Sequence, residues 1–161
     1  MTGITIEGVA LKSLKTNYDE RGFFREIIRV TDDFFEEGFG QWSHSFMVNG
    51  VIKAWHSHRI QTDWWYICSG VLRVGMWDLR EKSPTKGRTM DFLMGDGQPE
   101  CAIMIPPGVA HGCKVVKGQV NLFYVTSRVY DPNDELRIPF DDPTSGFDWM
   151  NDAGIGDAGR V

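Results

Sequence analysis

Several absences narrow the roles open to this chain before any motif is read. Positive charge is not in surplus: 17 Lys and Arg stand against 22 Asp and Glu, a formal net charge of -5, and the basic residues are scattered. A nucleic-acid backbone would find no basic stripe to follow, so nucleic acid is excluded as an expected partner. No stretch approaches the ~20 consecutive apolar residues of a membrane-spanning helix, and no membrane partner is expected. The opening Met1-Thr2-Gly3-Ile4-Thr5-Ile6-Glu7-Gly8 has neither the basic nor the apolar segment of a secretory leader, and a cytoplasmic location is the expectation. Cysteine is scarce. Cys68, Cys101 and Cys113 are odd in number and without paired spacing, which argues for free thiols in a reducing compartment, each a small buried hydrophobe. Internal repeats and low-complexity linkers are also missing. The 161 residues therefore read as one domain over 1–161, with a core at about 18–143 and an irregular tail at 144–161.

What the chain does have is apolar and aromatic. Hydrophobic residues make up 42% and aromatics 12%, enough for a real core and too much for a disordered segment. Short runs rich in Val, Ile, Phe, Trp and Tyr predict strands over 22–30, 44–48, 51–56, 63–69, 71–79, 90–94, 102–105, 112–116 and 121–127. Turn residues punctuate them: Asn49-Gly50, Ser69-Gly70, Gly95-Asp96-Gly97, Pro106-Pro107-Gly108 and Lys117-Gly118. Many closely spaced short strands predict an all-β sandwich or barrel. A single helical turn is expected over 31–37, capped by Thr31 or Asp32. After Ser127 the texture turns to Pro, Asp and Gly.

The chemistry concentrates in three histidines. His56 and His58 form a His-x-His pair, and alternation along a strand points both imidazoles to one face. Asp63 follows closely, and a second strand can bring His111 to the same spot. Imidazoles with one carboxylate can act as a general base or hold a metal ion, and the residues alone leave both open.

A set of motifs in order resembles the cupin superfamily, and within it the dTDP-4-dehydrorhamnose 3,5-epimerase family. They are Asp19-Glu20-Arg21-Gly22-Phe23-Phe24-Arg25-Glu26, Gln41-Trp42-Ser43-His44-Ser45, and Gly50 to His56 with Gln61. Next come Asp78-Leu79-Arg80, Ser83-Pro84-Thr85 with Gly87, and Ile105-Pro106-Pro107-Gly108-Val109-Ala110-His111-Gly112. Tyr130-Asp131-Pro132-Asn133-Asp134-Glu135 and Asp141-Asp142-Pro143 close the series. The resemblance implies an antiparallel double-stranded β-helix, the cupin or jelly-roll barrel, with short helical turns. It implies a homodimeric isomerase that epimerises a 4-keto nucleotide-sugar in carbohydrate biosynthesis of the dTDP-rhamnose type, with no required cofactor. His56 is then the base that removes a proton beside the ketone, and Tyr130 the acid on the opposite face. Arg21, Phe24, Glu26, Gln41, Lys53, His58, His111 and Glu135 become substrate contacts.

The chain departs from the family pattern in three places. Asp63 stands where the family has a lysine just past the glutamine, and Lys53 where it has an arginine three residues before the histidine. The C-terminal aspartate that pairs with the catalytic histidine has no counterpart after Pro143. Asp63 can compensate by orienting His56 or His58, Lys53 by supplying the positive charge. The third reading is a divalent cation held by His56, His58, Asp63 and His111, whose spacing is similar to that of metal-binding cupins. A metal-free site is the expectation. The competing readings are a metal-dependent cupin enzyme and a sugar-binding cupin without catalysis. Trp42, Trp55, Trp64 and Trp65 can stack on a base or sugar, with Trp65 expected in the core, and His44 is expected to serve structure or substrate hydrogen bonding.

Overall fold

The computed structural model describes residues 5–36 and 38–152. Among these residues ten strands form: β1 (Ala10–Ser13), β2 (Thr16–Asp19), β3 (Gly22–Arg25), β4 (Gln41–Met47), β5 (Ile52–His58), β6 (Asp63–Asp78), β7 (Thr89–Gly95), β8 (Cys101–Ile105), β9 (Val109–Thr126) and β10 (Glu135–Arg137). Eight of them make one antiparallel sheet in the order β1-β8-β6-β9-β5-β10, with β4 added on β9 and β7 on β6, while β2 and β3 form a separate ribbon. The all-β, cupin-type fold expected from the sequence is the fold observed. Among the described residues, no helix is long and apolar enough to cross a membrane.

The two longest strands differ from the sequence expectation, which broke each at a turn. Ser69-Gly70 and Lys117-Gly118 bend the chain without reversing it. Gly70 has φ 74°, and a Cβ there would sit 2.5 Å from the carbonyl oxygen of Gln119, so the two bends lie against each other in a conformation open to glycine. The β6–β9 register shifts between Ile67, Ser69, Val71 and Leu72. Each long strand thereby passes from one half of the barrel to the other, which wraps the sheet around a cavity.

Apolar side chains on one face of these strands fill the barrel: Leu72, Val74, Met76, Ile103, Ile105, Val109, Val115 and Val120 are all essentially inaccessible. A second cluster lies on the opposite face, where Trp55, Trp77 and Ala110 meet Trp149. The described part of the tail, up to 152, is irregular as expected and packs on this cluster. It has one 3-10 turn at Pro143–Ser145, and Trp149 is only 2% exposed. Its backbone is pinned by Arg73 Nη1 to the Asp148 carbonyl (2.9 Å) and by Lys114 Nζ to the Trp149 carbonyl (2.9 Å). Apolar burial and two buried cations hold it, so it is not loose; residues 153–161 of the expected tail lie outside the described residues. The early helical turn is shorter than expected, a 3-10 turn at Asp33–Phe35. Cys101 and Cys113 are buried as expected, whereas Cys68 is exposed.

Asp78, at the end of β6, ties the following loop together. Its carboxylate, with no side-chain exposure, accepts from Arg80 Nε (2.8 Å), Ser83 Oγ (2.6 Å) and Thr85 Oγ1 (2.6 Å). Burial works to raise its pKa, but hydrogen bonds from Arg80, Ser83 and Thr85 outweigh it and hold the group well below its ordinary 3.8. A depressed native pKa contributes stability above the unfolded value and loses it as pH falls toward the native one. Asp78→Ala should therefore cost about 2–3 kcal/mol near neutrality, by orphaning its three donors. Denaturant titrations should show the gap between wild type and variant narrowing at about pH 3. An equal gap at both pH values would refute the argument.

Candidate active site

Strands β4, β5, β6 and β9 wall a cavity of about 300 Å³, with Tyr130 and the β10 strand at its rim. Strand alternation sends His56 and His58 into it, while Trp55 goes to the outer cluster. Lys53 also lines the cavity, although its spacing from His56 is odd, because the β5–β9 register shifts between these two residues. Gly112 lets β5 approach: a Cβ there would stand 2.3 Å from that of Ala54. Across this contact His56 pairs directly with His111. Of the expected site residues, Gln41, Lys53, His56, His58, Asp63, His111, Tyr130 and Glu135 all line the one cavity.

His56 has a carboxylate partner, and it is Glu135. The His56 Nδ1 to Glu135 Oε1 distance is 2.9 Å, and Glu135 Oε2 accepts from Arg137 Nε at 2.9 Å. Burial works to raise the Glu135 pKa, but the His56 and Arg137 contacts outweigh it and hold the carboxyl below its ordinary range. The sequence reading looked for this carboxylate after Pro143 or at Asp63 and gave Glu135 to the substrate. The structure instead brings β10 alongside β5, with Glu135 opposite His58 and Arg137 opposite His56. The alternation of Glu135 and Arg137 after the turn-forming Asp131-Pro132-Asn133-Asp134 hints at a strand but does not say which strand it joins.

Asp63 serves His111 and not His56. It is 4% exposed, as is His111. Its Oδ1 accepts from Gln61 Nε2 (2.8 Å) and its Oδ2 from Trp65 Nε1 (3.3 Å). The same Oδ2 lies 3.6 Å from His111 Nε2, and His111 Nδ1 meets the Val109 carbonyl at 3.1 Å. Burial pushes the Asp63 pKa up, yet His111, His58 and Gln61 bring it below the ordinary value. For His58 burial dominates and lowers the pKa, with His111 adding to it and Asp63, Asp134 and Glu135 opposing. His58 Nδ1 faces the buried Asp134 carboxylate at 3.8 Å. Donor atoms of His58, Asp63 and His111 lie within 4.8 Å of one another. Of the four-ligand set drawn from the sequence, three thus come together and His56 does not join them.

Around these groups the wall is polar at one end. Lys53 Nζ donates to Ser45 Oγ at 2.9 Å, and Gln41 Oε1 accepts from the Tyr130 amide at 3.1 Å, placing a 57% exposed Tyr130 ring at the cavity mouth. Burial pushes the Cys113 thiol up to about 12, so this wall residue is an apolar group and no nucleophile. Arg21, Phe24 and Glu26 do not join the cavity within the chain. Arg21 pairs with Asp19, Glu26 with Arg29, and Phe24 is 63% exposed on the β2–β3 ribbon. Of the four tryptophans singled out, Trp55, Trp64 and Trp65 are buried and Trp42 is exposed. His44 hydrogen-bonds Asn121 Oδ1 at 2.8 Å.

An antiparallel β-sheet wrapped around a cavity that holds a histidine–carboxylate pair defines a cupin-type protein built for proton transfer. The family model of dTDP-4-dehydrorhamnose 3,5-epimerase matches residues 3–159. The chain belongs to this family, a family of enzymes. It is 44% identical over 147 residues to the spore coat polysaccharide biosynthesis protein SpsL of Bacillus subtilis, covering 89% of this chain and 96% of that one. It is 34% identical over 148 residues to the probable low-salt glycan biosynthesis epimerase Agl13 of Haloferax volcanii, covering 89% and 94%. Among solved structures, it is similar to a dTDP sugar isomerase from Desulfovibrio desulfuricans, with a TM-score of 0.84, 28% identity and coverage of 89% and 92%. A Legionella pneumophila 3,5-epimerase solved in complex with dTDP-4-keto-L-rhamnose gives a TM-score of 0.82 at 26% identity, covering 95% and 84%.

Proposed function

We propose that the protein epimerises a dTDP-linked 4-keto sugar by removing a proton beside the ketone, in carbohydrate biosynthesis of the rhamnose type. The observation that carries this reading is the His56–Glu135 pair, 2.9 Å apart inside the cavity. Its Nδ1 bonded to a carboxylate, His56 presents Nε2 as a base, and Glu135 stabilises the imidazolium that forms. The electron pair of the broken C–H bond moves onto the ketone oxygen as an enolate. Tyr130, at the mouth, returns a proton to the opposite face of the same carbon, and solvent resets both groups. The proton transfers need no cofactor. Lys53 and Gln41 are substrate contacts on this reading.

A homodimer is part of the proposal. The β2–β3 ribbon holds Arg21, Phe24 and Glu26 away from the chain's own cavity and leaves Tyr18, Phe23 and Phe24 exposed. Delivery of this ribbon to a second copy would give an arginine for the diphosphate and an aromatic face for the base. A cytoplasmic location belongs to the same reading.

Incubation with a dTDP-4-keto-6-deoxy sugar in deuterated water tests it: mass spectrometry should find deuterium beside the ketone, with inverted configuration there by NMR. Tyr130→Phe should lower inversion by about 10²-fold while leaving more of the exchange, since abstraction and return can still use one face. Absence of any exchange by the wild-type protein would sink the reading, and equal loss of both activities in the variant would reduce Tyr130 to a wall residue.

A further inference from the structure

Three side chains in the cavity point donor atoms at one another, and none of them is used by the proton transfers. We propose that His58, Asp63 and His111 together bind one divalent first-row transition-metal ion, through Nε2 of each imidazole and Oδ2 of the carboxylate.

In two of the three the atom on the far side is hydrogen-bonded, and in the third it faces a carboxylate. His111 Nδ1 meets the Val109 carbonyl at 3.1 Å, which fixes the proton on Nδ1 and leaves a lone pair on Nε2. His58 Nδ1 faces the Asp134 carboxylate at 3.8 Å, and Asp134 is itself fixed by the Arg59 amide at 2.9 Å. Asp63 Oδ1 takes the Gln61 amide at 2.8 Å. Carboxylate and carbonyl partners behind ligating imidazoles, and a hydrogen bond behind the ligating carboxylate, are the outer contacts that orient metal ligands.

The separation of His111 and Asp63 agrees with a shared ion. His111 Nε2 and Asp63 Oδ2 are 3.6 Å apart, too far for a hydrogen bond. Two ligands each ~2.1 Å from a shared ion, at roughly tetrahedral angles, stand about 3.5 Å apart. Two imidazoles and one carboxylate suit Zn²⁺, Fe²⁺, Co²⁺ or Mn²⁺, and not Ca²⁺, which takes oxygen ligands. With one carboxylate and two neutral imidazoles, a bound divalent ion would keep a net positive charge. The site shares its cavity with His56, whose cross-strand neighbour is His111. Binding of the ion does not rest on the epimerase reading, whose proton transfers proceed without it.

The test uses the full chain, stripped by chelator and titrated with Co²⁺ or Zn²⁺ alone. One ion per chain is expected by elemental analysis, with a visible Co²⁺ absorption band and a raised Tm. His58→Gln and Asp63→Asn should each weaken Co²⁺ binding by at least ~10-fold, and Asp134→Asn by ~10–100-fold with the band shifted. His58 is the more accessible of the two ligand positions, so its variant keeps the test valid if Asp63→Asn fails to fold. His56→Asn should still bind one ion per chain. Substoichiometric metal with no change in Tm would overturn the site, as would binding lost in His56→Asn and kept in His58→Gln. A protein that binds one ion per chain but never exchanges the keto-sugar proton would uphold the site and overturn the epimerase reading instead.

Discussion

His56→Asn is expected to lower keto-sugar turnover by about 10³-fold or more and to abolish deuterium exchange, with the fold intact. General base catalysis contributes ~10²–10⁴-fold, and an amide cannot accept the proton. The variant should remain folded for a local reason. His56 is only partly buried, and its neighbours Trp55 and Ser57 carry the packing of β5. Asn can still donate to Glu135, so that carboxylate is not stranded. Turnover, solvent-deuterium incorporation and Tm measured together check this. Exchange that persists at the wild-type rate would remove His56 from the role of base, whatever happens to inversion.

Glu135→Gln should reduce kcat by about 10²–10³-fold with KM changed much less. Glu135 touches the base, and its charge matters most when His56 carries the abstracted proton; a neutral amide keeps the contact but stabilises the imidazolium far less. The loss therefore falls on the transition state and not on binding. Arg137, which donates to the other oxygen of Glu135 at 2.9 Å, is exposed, and water can replace its partner. The alternative role drawn from the sequence, a substrate contact, would show the opposite split. A raised KM with kcat preserved would restore that role and leave His56 without a demonstrated partner.

Much of this architecture is legible in the sequence because strand alternation is a local rule. The His56–His58 pair, the apolar runs of β6 and β9, and Pro106-Pro107-Gly108 ahead of His111 each give their position without knowledge of the rest. The contact of Glu135 with His56 was not legible for the opposite reason. β10 has three residues in a polar stretch, and its pairing with β5 depends on a return of the chain that no local pattern encodes. The same holds for Trp149, whose burial is decided by Arg73, Lys114 and the outer face of β6 rather than by its Asp- and Gly-rich surroundings. Asp63 was singled out as the break in the family pattern, but only tertiary structure tells which imidazole it faces. Arg21, Phe24 and Glu26 are read easily as a motif, yet the chain alone does not carry them into its cavity.

The passage of β6 and β9 through both halves of the barrel also sets an order of assembly. Their paired residues are nearest along the chain at the Asp78–Val109 end and farthest at Asp63–Thr126. Loop closure is cheapest at the near end, so pairing propagates from there and must cross the bends at Gly70 and Gly118 before the far end can zip. His111 lies close to the near end and Asp63 at the far one. The two are therefore joined only when the barrel is almost complete. Substitutions in the cavity should then act mainly on how fast the native state opens, and little on how fast it forms.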